Sequence, residues 1–174
     1  MRSDPSLMIN TVRLNVSQSA MSQSVLRLLD ETDRAAFLAH LLRLGPKGRY
    51  NRFSASVSDD TIMAYALRPF KAENFIFGFF DQGVLRGVAE AHGMDEPCPA
   101  VELAFSIELG WRGQGLGKVL FDRAVAEARK RGVRELHLHC LAHNFAMLSL
   151  LRQFTSTIRF EDNEAYAVIV LAKD

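Results

Sequence analysis

The sequence lacks the features that mark several large classes of protein. Cys98 and Cys140 are the only two cysteines in 174 residues, too few for a disulfide framework, so both are expected to be reduced thiols. The longest apolar run, residues 165–172, is far shorter than the roughly 20 residues that a membrane-spanning helix needs. The first residues are polar and lead into no apolar stretch, so we expect no signal peptide. These absences predict a cytoplasmic protein without a membrane partner.

The chain also lacks an excess of charge of either sign. Its 21 Lys and Arg residues nearly balance its 20 Asp and Glu residues, which gives a formal net charge of +1. Such a balance provides no long-range attraction to nucleic acid, so no nucleic-acid partner is expected, although a local basic patch can still hold a phosphorylated ligand. There is no linker rich in Pro, Gly or Ser and no internal repeat. We therefore predict a single domain over residues 8–174, preceded by a flexible tail at residues 1–7.

Hydrophobic periodicity predicts strands and helices along the whole chain. The predicted strands are residues 11–16, 75–80, 83–91, 101–109, 135–141, 158–160 and 165–171. The predicted helices are two segments within residues 20–44, the second capped by Asp30 or Thr32, one that starts at Ser58 and ends before Pro69, and residues 115–131 and 144–153. Residues 45–48 and 92–99 are predicted to be loops. Because strand and helix alternate in the second half, we expect a mixed sheet covered by helices.

A glycine-rich segment, Arg112-Gly113-Gln114-Gly115-Leu116-Gly117-Lys118, lies between a predicted strand and a predicted helix. Glycine lets the backbone approach a ligand closely, and the free N–H groups of a helix's first turn attract anions. Since Arg112 and Lys118 add positive charge, the segment predicts a pyrophosphate site at the start of the helix. Two alternatives remain. The segment could be only a flexible turn, or part of a domain for another nucleotide; in a dinucleotide-binding fingerprint, the third glycine would come one residue later.

These residues resemble a known family. Arg112-x-x-Gly115-x-Gly117, after an apolar strand and before a long helix, resembles the acetyl-CoA signature of the GNAT superfamily of N-acetyltransferases. Residues 132–136 and 143–147 are similar to that family's second cofactor-contacting element, and residues 101–154 are closest in motif to the acetyltransferase domain of bacterial protein-lysine acetyltransferases. The resemblance implies a single GNAT-like domain of the α/β (α+β) class, with a mixed, mostly antiparallel sheet flanked by helices.

The resemblance also implies how acetyl-CoA is bound. Main-chain groups of Ile107 and Leu109 would pair with the pantetheine arm, and Asn144 would hydrogen-bond it from the following helix. The backbone N–H groups implied to hold the pyrophosphate are those of Arg112, Gly113, Gln114, Gly115, Leu116, Gly117 and Lys118. The thioester would lie in a gap between the strands at residues 101–109 and 135–141. The acceptor would be a primary amine, either of a small molecule or of a protein lysine, and similar proteins are often homodimers.

The sequence departs from the family where a general acid is usual. Many members have a tyrosine seven residues after the equivalent of Asn144, placed to protonate the departing thiolate, and here that residue is Leu151. Thr155 and Ser156 replace the usual Gly-Phe. The general acid is therefore unassigned, although the coenzyme A thiolate is a good leaving group and water can supply the proton. The departure leaves an alternative function open, a non-catalytic acyl-CoA-binding regulatory module that retains the cofactor loop.

Acetyl transfer to an amine needs a general base. An amine attacks a thioester only when neutral, and a lysine-like amine with a pKa near about 10.4 is mostly protonated at neutral pH. Glu102 is the first candidate, because it lies on the polar face of its strand and matches the glutamate that serves as the base in the protein-lysine acetyltransferases. Glu90 is the second, since it could face Glu102 across a hairpin, and such a pair would raise the pKa of one of the two carboxyls toward neutrality. Glu108, nearer the glycine segment, is the third.

Other reactive side chains receive less specific predictions. His137, His139 and His143 are not accompanied by a carboxylate or cysteine ligand pattern, so no metal is expected. His139 could instead relay a proton, or be structural. Cys140 has no recognisable base partner and is expected in the core. The aromatic and basic cluster at residues 49–53 is expected either to contact the acceptor or to anchor its loop.

Overall fold

The computed structural model describes residues 23–94, 99–155 and 157–172. Its strands are β1 (Ser24–Leu28), β2 (Phe75–Asp81), β3 (Val84–Met94), β4 (Ala100–Ile107), β5 (Glu135–Leu141), β6 (Arg159–Glu161) and β7 (Glu164–Val170). Its helices are α1 (Arg34–Arg43), α2 (Pro46–Phe53), α3 (Asp59–Ala66), α4 (Leu116–Lys130) and α5 (Phe145–Leu151), with 3₁₀ turns at Glu31–Asp33 and Leu109–Trp111. The strand predicted at residues 11–16 and the tail predicted at residues 1–7 lie outside the described residues.

The strands form one seven-stranded sheet in the order β1-β2-β3-β4-β5-β7-β6. Every neighbouring pair is antiparallel except β4 and β5, which are parallel. Parallel neighbours need a crossover connection, and α4 provides it. Helices pack on both faces of the sheet, α1 and α3 on one and α4 on the other. The predicted mixed, mostly antiparallel sheet flanked by helices is therefore confirmed.

Apolar side chains are buried on both faces of the sheet, which explains why β2 carries no polar side chain from Phe75 to Phe80. Successive residues of a strand point to opposite faces. Phe75 and Phe77 thus join Phe121 in the cluster between the sheet and α4, whereas Ile76 joins Phe37 in the cluster beneath α1 and α3. Full burial of each such side chain contributes about 1.5–3 kcal/mol to folding. The two clusters fix the helices against the sheet and so fix the loops between them.

In the described part of the region predicted as two helices, residues 23–44, the first element is the strand β1, so the prediction of a first helix there is wrong. β1 pairs antiparallel with β2 over its whole length. The outer edge of β2 needs backbone hydrogen-bond partners, and this need is not visible in the local periodicity of β1. The second segment is a helix, α1, as predicted. Asp30 caps the 3₁₀ turn before it by accepting a hydrogen bond from the N–H of Thr32 at 2.8 Å.

At three further element boundaries, the prediction from local sequence can be compared with the structure. Residues 45–48, predicted as a loop, contain the start of α2, because Pro46 occupies the first turn, where its missing N–H costs nothing. α3 follows Ser58, whose Oγ accepts from the N–H of Thr61 at 3.2 Å, as predicted. β3 continues to Met94 because its last residues pair with the start of β4, so the loop predicted from residue 92 begins too early.

The parallel strands β4 and β5 separate along their length. They pair from Ala100↔Glu135 to Leu103↔Leu138, and no pairing between them continues beyond this point in the described residues. The predicted gap between the two strands is thus confirmed. β4 itself ends at Ile107 rather than at the predicted residue 109, since the chain turns into the 3₁₀ segment there. The gap opens toward the glycine-rich segment and leaves one edge of β4 available to a ligand.

Candidate active site

The glycine-rich segment adopts a backbone that favours glycine at two positions. Gly113 and Gly115 have φ values of 73° and 81°, in the left-handed region that other residues rarely occupy. A Cβ atom built on either residue would meet no atom within 4 Å, so conformation rather than crowding requires glycine here. Gly115 is the N-cap of α4, and no side chain among the described residues caps this helix. The first N–H groups of α4 therefore remain available to an anion.

A cavity of about 470 Å³ connects this helix start with the gap between β4 and β5. Its walls come from α2, the end of β4, the glycine-rich segment and α5. The lining residues are Gly48, Asn51, Arg52, Phe105, Ser106, Ile107, Trp111, Arg112, Gly113, Gly115, Leu116, Gly117, Lys118, Asn144, Ala146, Met147, Ser149, Leu150 and Gln153. The volume lies in the range of pockets that hold small molecules and cofactors.

Most of the residues predicted to bind the cofactor lie around this cavity. Those that line it are Ile107, Arg112, Gly113, Gly115, Leu116, Gly117, Lys118 and Asn144. Leu109 and Gln114 do not. Leu109 is 81% exposed. It lies in the 3₁₀ turn, so its main chain does not continue the edge of β4. The side-chain amide of Gln114 donates to the carbonyl of Gly110 at 2.8 Å.

The two predicted phosphate cations already have partners. Arg112 donates from Nε to the main-chain carbonyl of Ile107 at 2.8 Å, which holds its guanidinium at the mouth of the gap. Nζ of Lys118 lies 2.6 Å from a carboxylate oxygen of Asp122, and both side chains are about half exposed. An exposed pair of this spacing on a helix contributes only about 0.3–0.5 kcal/mol. A phosphate could therefore compete for Lys118 at little cost.

The start of α5 forms the opposite wall of the cavity. Asn144 is the N-cap of α5, and its Oδ1 accepts a hydrogen bond from the N–H of Met147 at 3.3 Å. Leu151 occupies the position at which many members of the resembled family have a tyrosine, and it is fully buried in the core beside α4. Its side chain cannot reach the cavity, so α5 contributes no acid at this position. The departure from the family pattern is thus a change from a reactive side chain to a core residue.

Glu90 is the centre of a buried polar cluster that joins three elements. Its fully buried carboxylate accepts from Arg52 of α2 at 2.8 Å and from the Tyr65 hydroxyl of α3 at 2.6 Å. Nε2 of His92 lies 3.3 Å from it. Burial alone would raise the pKa of Glu90, but the charge of Arg52 and the hydrogen bonds from His92 and Tyr65 outweigh it and lower the pKa to about 2.

The expectation that Glu90 and Glu102 form a pair with one raised pKa is wrong. The register places Glu90 opposite Ala104, and Glu102 opposite His92. Glu90 is therefore held as a carboxylate by Arg52, and the same contacts occupy it in a structural role. Glu102 is exposed and lies between His92 on β3 and His137 on β5, in the part of the sheet where β4 and β5 are still paired. Neither glutamate lines the cavity.

The aromatic and basic cluster on α2 divides between two roles. Arg49 anchors its own segment, because it donates to the carbonyls of Leu42 and Leu44 at 2.7 and 2.9 Å. Tyr50 stacks on His143 with ring centroids 6.3 Å apart, which ties α2 to the loop before α5. Asn51 lines the cavity, and its buried Oδ1 has no hydrogen-bond partner within the described part of the chain. Such an atom is ready to accept a hydrogen bond from a ligand.

The structure also brings together a buried group that sequence reasoning did not find. His40 of α1 is fully buried, and its Nε2 lies 2.9 Å from Oγ of Ser106 on β4. Its Nδ1 faces Oε1 of Glu108 at 3.4 Å. Burial alone would raise the pKa of Glu108, but hydrogen bonds from His40, Arg86 and Arg43 lower it to about 2. The one local signal was a serine on the polar face of β4; its partner lies 66 positions away.

The remaining reactive side chains agree with structural roles. Cys140 is buried, and burial raises the pKa of its thiol to about 11, as suits a core position. Nε2 of His139 lies 2.9 Å from Glu164, and its ring stacks on Tyr166. Among the described residues, no cluster of three or more side chains could hold a metal ion. Nor does any helix in residues that the structure describes have the length and apolar character to cross a membrane.

Comparison with known proteins identifies the family. The family model described as "Acetyltransferase (GNAT) family" matches residues 39–155, more than half of the chain. The chain therefore belongs to the GNAT family of acetyltransferases, and the predicted class of enzyme, an acyltransferase, is confirmed. Acetyl-CoA is the acetyl donor of this family. A search of curated proteins gave no match.

Solved structures support the same fold. The GNAT domain of S. lividans PAT has 18% sequence identity and a TM-score of 0.73, over 85% of this chain and 90% of that one. The ribosomal-protein-S18-alanine N-acetyltransferase from Escherichia coli has 19% identity and a TM-score of 0.62, over 84% and 93%. Aminoglycoside N-acetyltransferase AAC(6')-Iy, in complex with CoA, has 20% identity and a TM-score of 0.62, over 84% and 95%. At these identities the similarity establishes the fold.

Proposed function

We propose that this protein transfers the acetyl group of acetyl-CoA to a primary amine by direct attack of the amine on the thioester. The observation that carries the proposal is the single cavity that joins the uncapped start of α4 to the gap between β4 and β5. A diphosphate needs the first feature and an extended pantetheine arm needs the second. Holding both reactants in one slot supplies much of the rate acceleration in such a reaction.

The residues around the cavity suit coenzyme A in charge and backbone conformation. The open space above Gly113 and Gly115 allows a diphosphate to approach the N–H groups of α4. Arg112 and Lys118 supply positive charge. Ile107 at the open edge of β4 and Asn144 at the start of α5 face the space for the pantetheine arm. We propose these residues as the cofactor site, without Leu109 and without the side chain of Gln114.

Glu102 remains our candidate for the general base. Its carboxylate is exposed, whereas the carboxylate of Glu90 is enclosed by Arg52 and Tyr65 and must break two contacts before it can accept a proton. Because Glu102 does not line the cavity, we propose that it acts through an ordered water. Glu90 is better placed to fix α2 and α3 on the sheet, and so to hold the acceptor side of the site in position.

The acceptor is proposed as a small-molecule amine or a protein lysine. A closer relation to protein-lysine acetyltransferases is supported by the Glu-x-Ala-Phe strand, Glu102 to Phe105, and the Asn-x-x-Met start of α5. A cytoplasmic location and a homodimer are part of the same proposal. For the homodimer, the exposed apolar side chains Val168 and Val170 on β7 provide a candidate contact surface. Light scattering of the purified protein tests it, and a monomer at micromolar concentration would reject it.

Two measurements test the proposed function. Thermal unfolding with acetyl-CoA, free CoA and ATP should show stabilisation by the first two, because a ligand that binds only the folded state raises its stability. Release of free thiol from acetyl-CoA should then depend on added amine. Binding without amine-dependent thiol release would favour the alternative, a regulatory module that binds acyl-CoA without catalysis. The observation that favours this alternative is Leu151, a buried residue at the position where a tyrosine would act as the general acid. An equal response to ATP alone would reject the cofactor assignment.

A further inference from the structure

The buried group of Ser106, His40 and Glu108 has no part in the direct transfer described above. Ser106 and His40 are 5% and 0% exposed. Buried polar groups cost free energy unless they are paired, and this group is paired in one continuous chain from hydroxyl to imidazole to carboxylate. That chain ends at a cavity, because Ser106 is among the lining residues. A purely structural pairing has no need to end there.

The order of the atoms is that of an activated nucleophile. The carboxylate of Glu108 is fixed by Arg43 at 2.8 Å and by Arg86 at 2.9 Å. It faces Nδ1 of His40, which favours the tautomer with its proton on Nδ1. Nε2 is then free to accept the proton of the Ser106 hydroxyl, 2.9 Å away. A nucleophile, a base and a group that orients the base are thus in contact one after another. This arrangement of roles, rather than any particular fold, defines a site with an activated nucleophile.

The position of Ser106 connects the group to the acetyl donor. Ser106 follows Leu103, the last residue of β4 that pairs with β5, by three positions, so it lies beside the gap. The same cavity holds the cofactor residues Ile107 and Arg112. Asn51 also lines it and carries amide N–H donors of the kind that stabilise the oxyanion of a tetrahedral intermediate. Ser106 and an oxyanion donor therefore line one cavity, and the fully buried His40 contacts Ser106.

We propose that Ser106 is an acetyl-accepting nucleophile, activated by His40 and oriented through Glu108, and that it gives the protein an amine-independent reaction with acetyl-CoA. Oγ of Ser106 bonds to the thioester carbonyl carbon while Nε2 of His40 takes the hydroxyl proton. The C–S bond breaks, and the thiolate takes that proton to leave as CoA. A water molecule then attacks the acetyl-serine ester with His40 as the base, which releases acetic acid and restores Ser106. The inference rests on the proposed binding of acetyl-CoA.

The test is direct detection of acetyl-Ser106. The protein is mixed with acetyl-CoA in an amine-free buffer, quenched with acid, and analysed by intact-mass and peptide mass spectrometry, while thiol release is followed in parallel. We expect one acetyl group on Ser106, removed by hydroxylamine as an ester is, and thiol release without amine. Ser106→Ala should abolish both. His40→Asn should slow both by about a hundredfold or more, as loss of a general base does.

A second serine in the cavity provides a matched control. Ser149 of α5 lines the same space, but its hydroxyl has no histidine partner among the described residues, so Ser149→Ala should leave the label on Ser106. Glu108 is a positioning residue. Glu108→Gln should slow labelling at saturating acetyl-CoA without changing the Kd for CoA, and Glu108→Asp should restore part of the rate. Thermal unfolding and CoA binding of each variant show that it is folded.

The outcomes separate this inference from the proposed function. If CoA binds and amines are acetylated, but Ser106 gains no acetyl group and no thiol is released without amine, the nucleophile assignment is overturned and the acetyltransferase assignment stands. Acetylation of Ser106 at the wild-type rate in His40→Asn also overturns the nucleophile assignment. If CoA does not bind, the proposed function fails, and a fluorophosphonate probe decides: labelling of Ser106 that depends on His40 supports the activated serine, and absence of labelling rejects it.

Discussion

Gly115 offers the sharpest test of the cofactor site, because its conformational and binding roles can be measured separately. Replacement by alanine places a Cβ on a residue with φ of 81°, at the N-cap of α4 and at the edge of the cavity. Gly83, in the turn between β2 and β3, has φ of 76° and equally open surroundings. Gly83→Ala is therefore a matched control that carries the same backbone strain far from the cavity.

The expected magnitudes follow from the two roles. A left-handed conformation costs an L-residue about 1–2 kcal/mol, so both variants should lose about that much free energy of unfolding. Only Gly115→Ala should also weaken CoA binding, because its Cβ occupies the space through which a diphosphate reaches the N–H groups of α4. Losing one hydrogen bond to a charged group costs about 1.5–3 kcal/mol, which corresponds to a Kd at least about tenfold higher.

The assay combines urea unfolding with isothermal titration of CoA into each folded variant. We expect similar losses of stability in both variants and a weaker Kd only in Gly115→Ala. Equal CoA affinity in the two variants would refute the placement of the diphosphate at the start of α4. A much larger loss of stability in Gly115→Ala than in Gly83→Ala would instead show that a Cβ at residue 115 collides with neighbouring atoms.

Three other predictions concern the charged residues Glu102, Arg52 and Glu90. Glu102→Gln should lower the rate of amine acetylation about a hundredfold or more at neutral pH and leave CoA affinity unchanged; an unchanged rate of thiol release would show that Glu102 is not the base. Arg52→Met should destabilise the fold by about 3–5 kcal/mol, because it leaves the carboxylate of Glu90 buried without its cation. In urea unfolding, the double variant Arg52→Met/Glu90→Leu should recover part of the lost stability. A double variant that is as unstable as Arg52→Met would contradict this explanation. The pKa of Glu90 falls from 4.5 to about 2 on folding, so its stabilising contribution is complete above pH 4.5 and is lost as the pH falls toward 2. Urea unfolding should therefore show that the wild-type protein loses more stability between pH 7 and pH 3 than the double variant does. An equal loss in the wild type and the double variant would assign the effect to other groups.

The parts of the site that depend on local sequence could be predicted, and the parts that depend on pairing could not. The start of α4 after the glycine-rich segment and the cap at Ser58 are read from neighbouring residues, and both agree with the structure. The pyrophosphate site at that helix start stays a prediction. β1 was predicted as a helix because its strand conformation depends on the edge of β2, some fifty residues away (Leu28 pairs with Phe77). Local periodicity carries no information about such an edge.

The same limit applies to the acidic residues. Whether Glu90 faces Glu102 or Ala104 depends on strand register, and a shift of register changes every partner along the strand. The contact between His40 and Ser106 needs α1 to pack over the end of β4, which is decided by the whole core rather than by either residue. A sequence can thus name the residue types that chemistry requires, while the tertiary fold decides which of them meet.

The anchoring of α2 through Tyr50 and Arg52 has a consequence for the shape of the cavity. Arg52 ties the helix to β3 through Glu90, and Tyr50 ties it to the loop before α5 through His143. Gly48 and Asn51 of the same helix line the cavity, and a Cβ on Gly48 would already lie 3.0 Å from the guanidinium of Arg112. We therefore expect substitutions at these two positions to change the width of the cavity while the contacts of Arg52 and Tyr50 keep α2 in place.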